Sequence, residues 1–253
     1  MIRKEELLEI AKLKGIAPKL AELDYLQDIA LLIATGEFGE RLVFKGGTCL
    51  YKAYKLNRFS EDLDFGARKG FTPGVFFQRL PYFFNLLDLK SRVRVEQFQK
   101  CINVRLEVNG PLYDGGRETA AVLMFNVSLW ERVVLPPLQF PYSSLYQEVR
   151  PFDLFVMDEK EILAEKVRAI YERNKARDVY DLWYLLKRRG VSVVMGLASK
   201  KLSYVEMKFD KEVFFAKIDE KKLGWERDLA GLVGGKLPLF AQARKEIEEA
   251  FSF

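Results

Sequence analysis

The first forty residues carry apolar positions at helical spacing. Leu7, Leu8, Ile10 and Leu13, then Leu23, Leu26, Ile29 and Leu32, predict helices over 4–14 and 20–36. Leu42-Val43-Phe44 is a short buried-strand candidate, stopped by Gly46-Gly47, and Cys49 to Leu56 returns to helical spacing. Asp62 to Phe65 alternates polar and apolar and predicts a strand. The aromatic-rich stretch 71–88 reads as helical. Arg92 to Gln99, Ile102 to Val108 and Ala120 to Trp130 each read as strands, with turns at Asn109-Gly110-Pro111 and Asp114-Gly115-Gly116. Pro136-Pro137, Pro141 and Pro151 punctuate a connecting segment, and from Asp158 the pattern is helical to the end.

The pattern predicts an α+β protein. A mixed sheet with flanking helices is expected over residues 1–150, and an α-helical half over 151–253. No internal repeat or low-complexity linker interrupts it. No apolar run approaches the length of a membrane span, and the N-terminus lacks the apolar stretch of a signal peptide, so a cytoplasmic protein without a membrane partner is expected.

Composition narrows the chemistry sharply in one respect: the chain of 253 residues contains no histidine. That removes Ser-His-Asp and Cys-His catalysis, His-ligated metals and imidazole proton transfer. Two cysteines, Cys49 and Cys101, make neither a disulfide framework nor a four-thiolate zinc site. Oxygen ligands remain, and they favour Mg²⁺ or Mn²⁺. The net charge of +5 suits a polyanionic partner, and equally a surplus of surface lysine.

Candidate chemistry concentrates in FKGGTCLYKAYKLNRFSEDLDF, residues 44–65. Between a strand and a helix, Gly46-Gly47-Thr48 forms a turn whose backbone approaches a ligand closely. Its helix N-terminus favours phosphate, and Thr48 adds a hydroxyl. The spacing of a P-loop is absent. In the following strand Asp62 and Asp64 point to one face while Leu63 and Phe65 enter the core. Two carboxylates so close repel unless a cation lies between them, and a divalent metal is the usual solution. A metal beside a triphosphate-binding turn supports in-line attack at an α-phosphorus. Each element alone also has a plainer reading, an ordinary turn and a solvated strand edge. Arg58 and Ser60 stand just before the carboxylates, within reach of a phosphate, although Arg58 also fits a surface salt bridge.

A second constellation lies in the helical half. Leu163, Val167 and Ile170 form the apolar stripe of one helix, with Ile162, Lys166, Ala169 and Arg173 on the stripe bordering solvent. Lys166 there either reaches into a cleft or snorkels over the core edge. In Arg177-Asp178-Val179-Tyr180-Asp181-Leu182-Trp183, Asp178 fits an N-cap and Asp181 the first turn of another helix.

Lys45-Gly46-Gly47-Thr48-x-Leu50, followed by Arg58-x-Ser60-Glu61-Asp62-Leu63-Asp64-Phe65, resembles the signature of the AbiEii/AbiGii-type nucleotidyltransferase toxins. Glu22-Leu23-Asp24-Tyr25 resembles that family's lead-in. Glu165-Lys166-x-x-Ala169 and Arg177-Asp178-x-Tyr180-Asp181-Leu182 resemble its later motifs. The resemblance spans roughly residues 20–190. It implies a DNA polymerase β-like fold and transfer of a nucleoside monophosphate from an NTP, with tRNA or other RNA, or a protein side chain, as acceptor. It also implies a toxin with a cognate antitoxin. On this basis Gly46, Gly47, Thr48, Arg58, Ser60 and Lys166 bind nucleotide, and Asp62 and Asp64 hold Mg²⁺ or Mn²⁺. Asp62, Asp64, Lys166 and Asp178 are the catalytic set, the last two contributed to the cleft by the helical half, while Asp181 fixes its helix. One departure is visible. A third carboxylate is expected before a hydrophobic-Ser pair, and this chain has Asn126-Val127-Ser128, leaving Glu107 or Asp178 as substitutes. That substitution keeps a second reading open, a catalytically weak nucleotide- or RNA-binding regulator on the same scaffold. Arg92, Arg94, Arg105 and Arg117, with Lys187, Arg188 and Arg189, are candidates to track an RNA backbone.

Overall fold

Residues 1–252 are described by a computed structural model of the chain. Two helices, α1 (Lys4–Lys14) and α2 (Pro18–Phe38), lead into strand β1 (Leu42–Lys45), helix α3 (Gly46–Ala53) and strand β2 (Leu63–Ala67). Next come α4 (Leu80–Asn85), β3 (Ser91–Gln97), β4 (Cys101–Val108), β5 (Ala121–Ser128), β6 (Leu138–Tyr142) and β7 (Phe152–Val156). The remainder is helical: α5 (Glu159–Glu172), α6 (Ala176–Trp183), α7 (Met195–Ser203), α8 (Lys211–Asp219), α9 (Trp225–Leu229) and α10 (Phe240–Ala250).

The seven strands form one mixed sheet in the order β3-β4-β5-β2-β1-β7-β6. Contact density divides the chain into two compact units. The first holds residues 1–55, 59–133 and 137–156, and the second holds 56–58, 134–136 and 157–253. The whole sheet therefore belongs to the first unit.

Alternation sets the sheet's register. In β4 and β5, Ile102, Val104, Leu106 and Val108, and Leu123, Phe125 and Val127, are all at most 1% exposed, whereas the residues between them face outward. In β2, Leu63 and Phe65 go into the core as their spacing predicts, and Phe65 meets Phe44 of β1 directly across the ladder at 5.4 Å between ring centroids.

Three expectations change. The stretch 71–88 is helical only over 77–85, because Pro73 and Gly74 (φ +50°) hold the chain out of helix before Phe77. The segment read as a connector contains two strands. β7 pairs parallel with β1, and β6 carries Pro141 at the sheet's edge, where a missing N–H interrupts no ladder. The helix assigned to start at Asp178 starts at Ala176, with Lys175 at the cap position, so Asp178 lies in the first turn. Among the described residues no helix is long and apolar enough to cross a membrane.

Candidate active site

The strand-to-helix turn and the two carboxylates are neighbours in the first unit. Gly46 has φ +75°, a region that L side chains avoid, and a Cβ placed there would lie 2.5 Å from Oδ2 of Asp64. Only a glycine lets this turn pass so closely against the carboxylate. The N–H groups of the first turn of α3 have no partner within the helix, so the α3 N-terminus and the Asp64 carboxylate adjoin. Asp62 is exposed just ahead of β2, Asp64 is half-buried within it, and Leu63 between them lies in the core.

Asp64 is flanked across both neighbouring strands. Lys45 of β1 and Asn126 of β5 are its register partners and share its sheet face. The Asn126 amide donates to Asp64 Oδ1 at 3.1 Å, and the Lys45 ammonium reaches the buried Glu131 at 3.4 Å. Asn103 and Glu96 continue the row on β4 and β3, giving Lys45-Asp64-Asn126-Asn103-Glu96 across five strands. Lys45 entered the sequence reading only as the first position of the signature, with no role given to it, and Glu131 not at all. Glu131 carries no motif, and only the fold brings it to Lys45.

The structure places Thr48 and Ser60 differently from a simple ligand contact. Thr48 is fully buried, and its hydroxyl donates to the backbone carbonyl of Asp62. Ser60 is 8% exposed, and its carbonyl accepts from the amide of Gln27. Both residues thus organise the segment leading into the carboxylates. Glu107 does not reach this place. It pairs with Val122, four residues along β5 from Asn126, which is about 13 Å at a strand's rise per residue. Its carboxylate is in any case paired with Arg105.

In the second unit, the Lys166 reading of a lysine snorkelling at a solvent border gives way to a buried one. Ile162 and Ala169, on the same stripe, are 0% and 7% exposed, so α5 is buried on both stripes. The ammonium lies 2.9 Å from Asp178 and 2.6 Å from Asp181. Burial alone would lower its pKa, but the two carboxylates outweigh this and raise it above the ordinary lysine value. Asp178 also accepts both forks of Arg173, at 2.7 and 2.8 Å. Burial would raise its pKa, and Lys166 and Arg173 instead hold it well below the usual carboxylate range. A carboxylate held that acidic is a weak base. Arg58, expected near a phosphate or at the surface, is 3% exposed and clamps Asp181 through Nε and Nη2, both at 2.7 Å. Burial pushes Asp181 up, while Arg58 and Lys166 bring it below its ordinary value. The cluster holds three cations against two carboxylates, and Arg173, its side chain 57% exposed, is the member that meets solvent.

The candidate RNA contacts separate. Arg92, Arg94 and Arg105 are exposed on the sheet face that carries Asp64, with Arg94 directly opposite Arg105. Arg117 is exposed in a short helical turn over Arg117–Thr119. The 187–189 cluster serves its own unit: Lys187 reaches Glu249, Arg188 lies over Trp183, and Arg189 pairs with Glu159.

A family profile described as the nucleotidyl transferase AbiEii toxin of type IV toxin–antitoxin systems matches residues 30–251. The chain belongs to the AbiEii family of nucleotidyltransferase toxins. A comparison with curated proteins returns no match. Among solved structures, the fold is similar to MenT4, a nucleotidyltransferase toxin of Mycobacterium tuberculosis, at a TM-score of 0.63 and 20% identity, covering 100% of this chain and 89% of that one. It is also similar to JHP933 of Helicobacter pylori, at a TM-score of 0.59 and 18% identity, covering 93% and 91%. For an AbiEii protein the polar row through Asp64 is the feature that the motif alone does not reveal.

The residues fit a hard divalent cation in donor chemistry. Asp62 and Asp64 offer carboxylate oxygens beside a turn that keeps its Cβ out of the way, and Asn126 adds an amide at the same carboxylate. Among the described residues no group of three or more His, Cys, Asp or Glu stands together. An ion held by so few protein ligands keeps several waters, as Mg²⁺ prefers.

Proposed function

We propose that this AbiEii toxin moves a nucleoside monophosphate from an NTP to an RNA acceptor, of which tRNA is the first candidate, under the control of a cognate antitoxin. The observation carrying this reading is the close approach of Gly46 to the Asp64 carboxylate, so that a helix start suited to an anion adjoins a carboxylate suited to a cation. The backbone at Gly46 and Gly47 receives phosphate oxygens, and Thr48 and Ser60 hold the adjoining segment. Asp62 and Asp64 would hold Mg²⁺ or Mn²⁺, which supplies positive charge to the triphosphate when bound.

The acceptor hydroxyl oxygen bonds to the α-phosphorus while the bond from that phosphorus to the bridging oxygen breaks and pyrophosphate leaves. The hydroxyl proton passes to water, since Asn126 has no basic atom and Asp178 is held too acidic to take it. The family resemblance makes Lys166 a further candidate to bind nucleotide phosphate; within the second unit Asp178 and Asp181 hold its ammonium as counter-ions. Arg58 acts through Asp181 rather than on the nucleotide.

The acceptor assignment is supported by Arg92, Arg94 and Arg105 on the Asp64 face. RNA held by a few such contacts should bind with a log–log salt slope of about −2 to −4, at roughly −0.7 per phosphate. Purified protein with each α-labelled NTP, Mg²⁺ or Mn²⁺, and total RNA tests the whole reading. Label in RNA supports it, and label in protein alone moves the acceptor away from RNA. Asn126 favours a second reading, the weak nucleotide- or RNA-binding regulator. Nucleotide binding with no transfer of label would select that one.

A further inference from the structure

The segment that delivers Asp62 is held by two side chains, Gln27, which lies outside every motif, and Thr48 of the glycine turn. Three successive backbone carbonyls, of Ser60, Glu61 and Asp62, each accept a side-chain hydrogen bond. Gln27 of α2 donates through one amide nitrogen to Ser60 at 3.0 Å and to Glu61 at 2.8 Å, and the Thr48 hydroxyl of α3 donates to Asp62. Both partners of Gln27 are carbonyl oxygens, so only its nitrogen can face them, and the orientation of the amide follows. Gln27 and Thr48 are both fully buried.

The same amide has an oxygen with no partner among the described residues. A buried acceptor left so is unfavourable, and it offsets what the two hydrogen bonds contribute. Stability therefore does not explain why a glutamine is buried at this position of α2. Its location does. On the same stretch of α2, Asp24 and Asp28 take the Lys52 ammonium of α3 at 2.8 and 2.5 Å, and Asp28 also accepts from Tyr142 and Ser144. One helix thus fixes the end of α3, whose start is the Gly46-Gly47-Thr48 turn. It also fixes the approach to the carboxylates.

We propose that Gln27 is a positioning residue of the nucleotidyl-transfer site, its buried amide setting, together with the Thr48 hydroxyl, where the Asp62 carboxylate stands. The proposal rests on the reading of Asp62 as a metal-holding residue. It assigns Thr48 to the backbone of Asp62 instead of to the triphosphate.

Mn²⁺ binding, measured by titration without nucleotide, tests it alongside melting temperature. Gln27→Met removes the orphan oxygen but leaves the Ser60 and Glu61 carbonyls without their shared donor, so a modest fall in melting temperature is expected. Mn²⁺ affinity is compared at a temperature where the variant is fully folded. Its Mn²⁺ affinity should fall about tenfold or more, as for other residues that orient metal ligands. Thr48→Val should do the same and Thr48→Ser should restore binding. Asp62→Asn should weaken binding by itself, and adding Gln27→Met to it should weaken binding no further, because the amide acts through Asp62. Unaltered Mn²⁺ affinity in both Gln27→Met and Thr48→Val, with Asp62→Asn impaired, overturns the proposal. Losses that simply multiply in the double variant overturn it too. Unaltered affinity in Asp62→Asn instead sinks the underlying reading of Asp62, and the proposal with it. If Gln27→Met fails to fold, the Thr48→Val and Thr48→Ser pair decides alone.

Discussion

Replacing Gly46 by alanine puts a methyl group where the turn has no room for one. The residue sits at φ +75°, which for an L side chain costs about 1–2 kcal/mol. The new Cβ would also stand 2.5 Å from Asp64 Oδ2, so the carboxylate must rotate away, at about 0.5–1.5 kcal/mol for a displaced rotamer. The two terms together predict a loss of about 1.5–3.5 kcal/mol in urea unfolding. Activity should fall further. A carboxylate moved by about 1 Å costs roughly 100-fold in rate when it orients a reacting group. Gly36→Ala is the matched control: it lies exposed in α2 with nothing within 4 Å of its Cβ position. It should stabilise the helix by about 0.5–1 kcal/mol and leave transfer unchanged. Single-turnover transfer and urea midpoints on both variants settle the matter. A Gly46→Ala protein as stable and as active as the unaltered one would refute the claim that this turn is built around Asp64.

Three further outcomes are expected. Arg58→Met should destabilise the fold by about 3 kcal/mol, since it strips a buried carboxylate of its bidentate partner. A raised KM for NTP with an unchanged melting temperature would instead make Arg58 a phosphate ligand. Asp178 and Asp181 titrate below their ordinary range in the folded state. Their contribution is therefore present above the unfolded value of about pH 4 and is lost as pH falls through the lower folded values. Melting temperature should drop on acidification below about pH 4 and less steeply in Asp178→Asn; an unaltered slope in that variant would argue against the cluster. Asn126→Asp sets a third carboxylate opposite Asp64, so Mn²⁺ affinity should rise roughly tenfold while stability in chelator falls. Unchanged affinity would remove Asn126 from the site.

The turn and the core register were legible because each depends on neighbours in sequence. Leu63 and Phe65 anchor β2 in the core, and Asp64 between them takes the other side. The helices α1 and α2 were legible for the same reason. What local pattern could not give was the partner of each group. Arg58 and Asp181 are 123 positions apart, and nothing near either residue announces the other. Lys166 looked like a border lysine because helical spacing reports one helix, whereas its burial comes from others packed around it. Gln27 stayed invisible because beside Asp24 and Asp28 it is one more polar residue of α2, and its partners lie 33 and 34 positions away. β6 and β7 were hidden by prolines, which argue against a strand except at an edge, and an edge is a property of the whole sheet.

The central claim is nucleotidyl transfer at Asp62 and Asp64, and paired labels test it most directly. With Mg²⁺, RNA and an NTP labelled at either the α- or the γ-phosphate, the account predicts α-label in the RNA and γ-label released as pyrophosphate. Both signals should vanish in Asp64→Asn while its melting temperature holds. Transfer of γ-label to the acceptor, or α-label transfer persisting undiminished in Asp64→Asn, would contradict it.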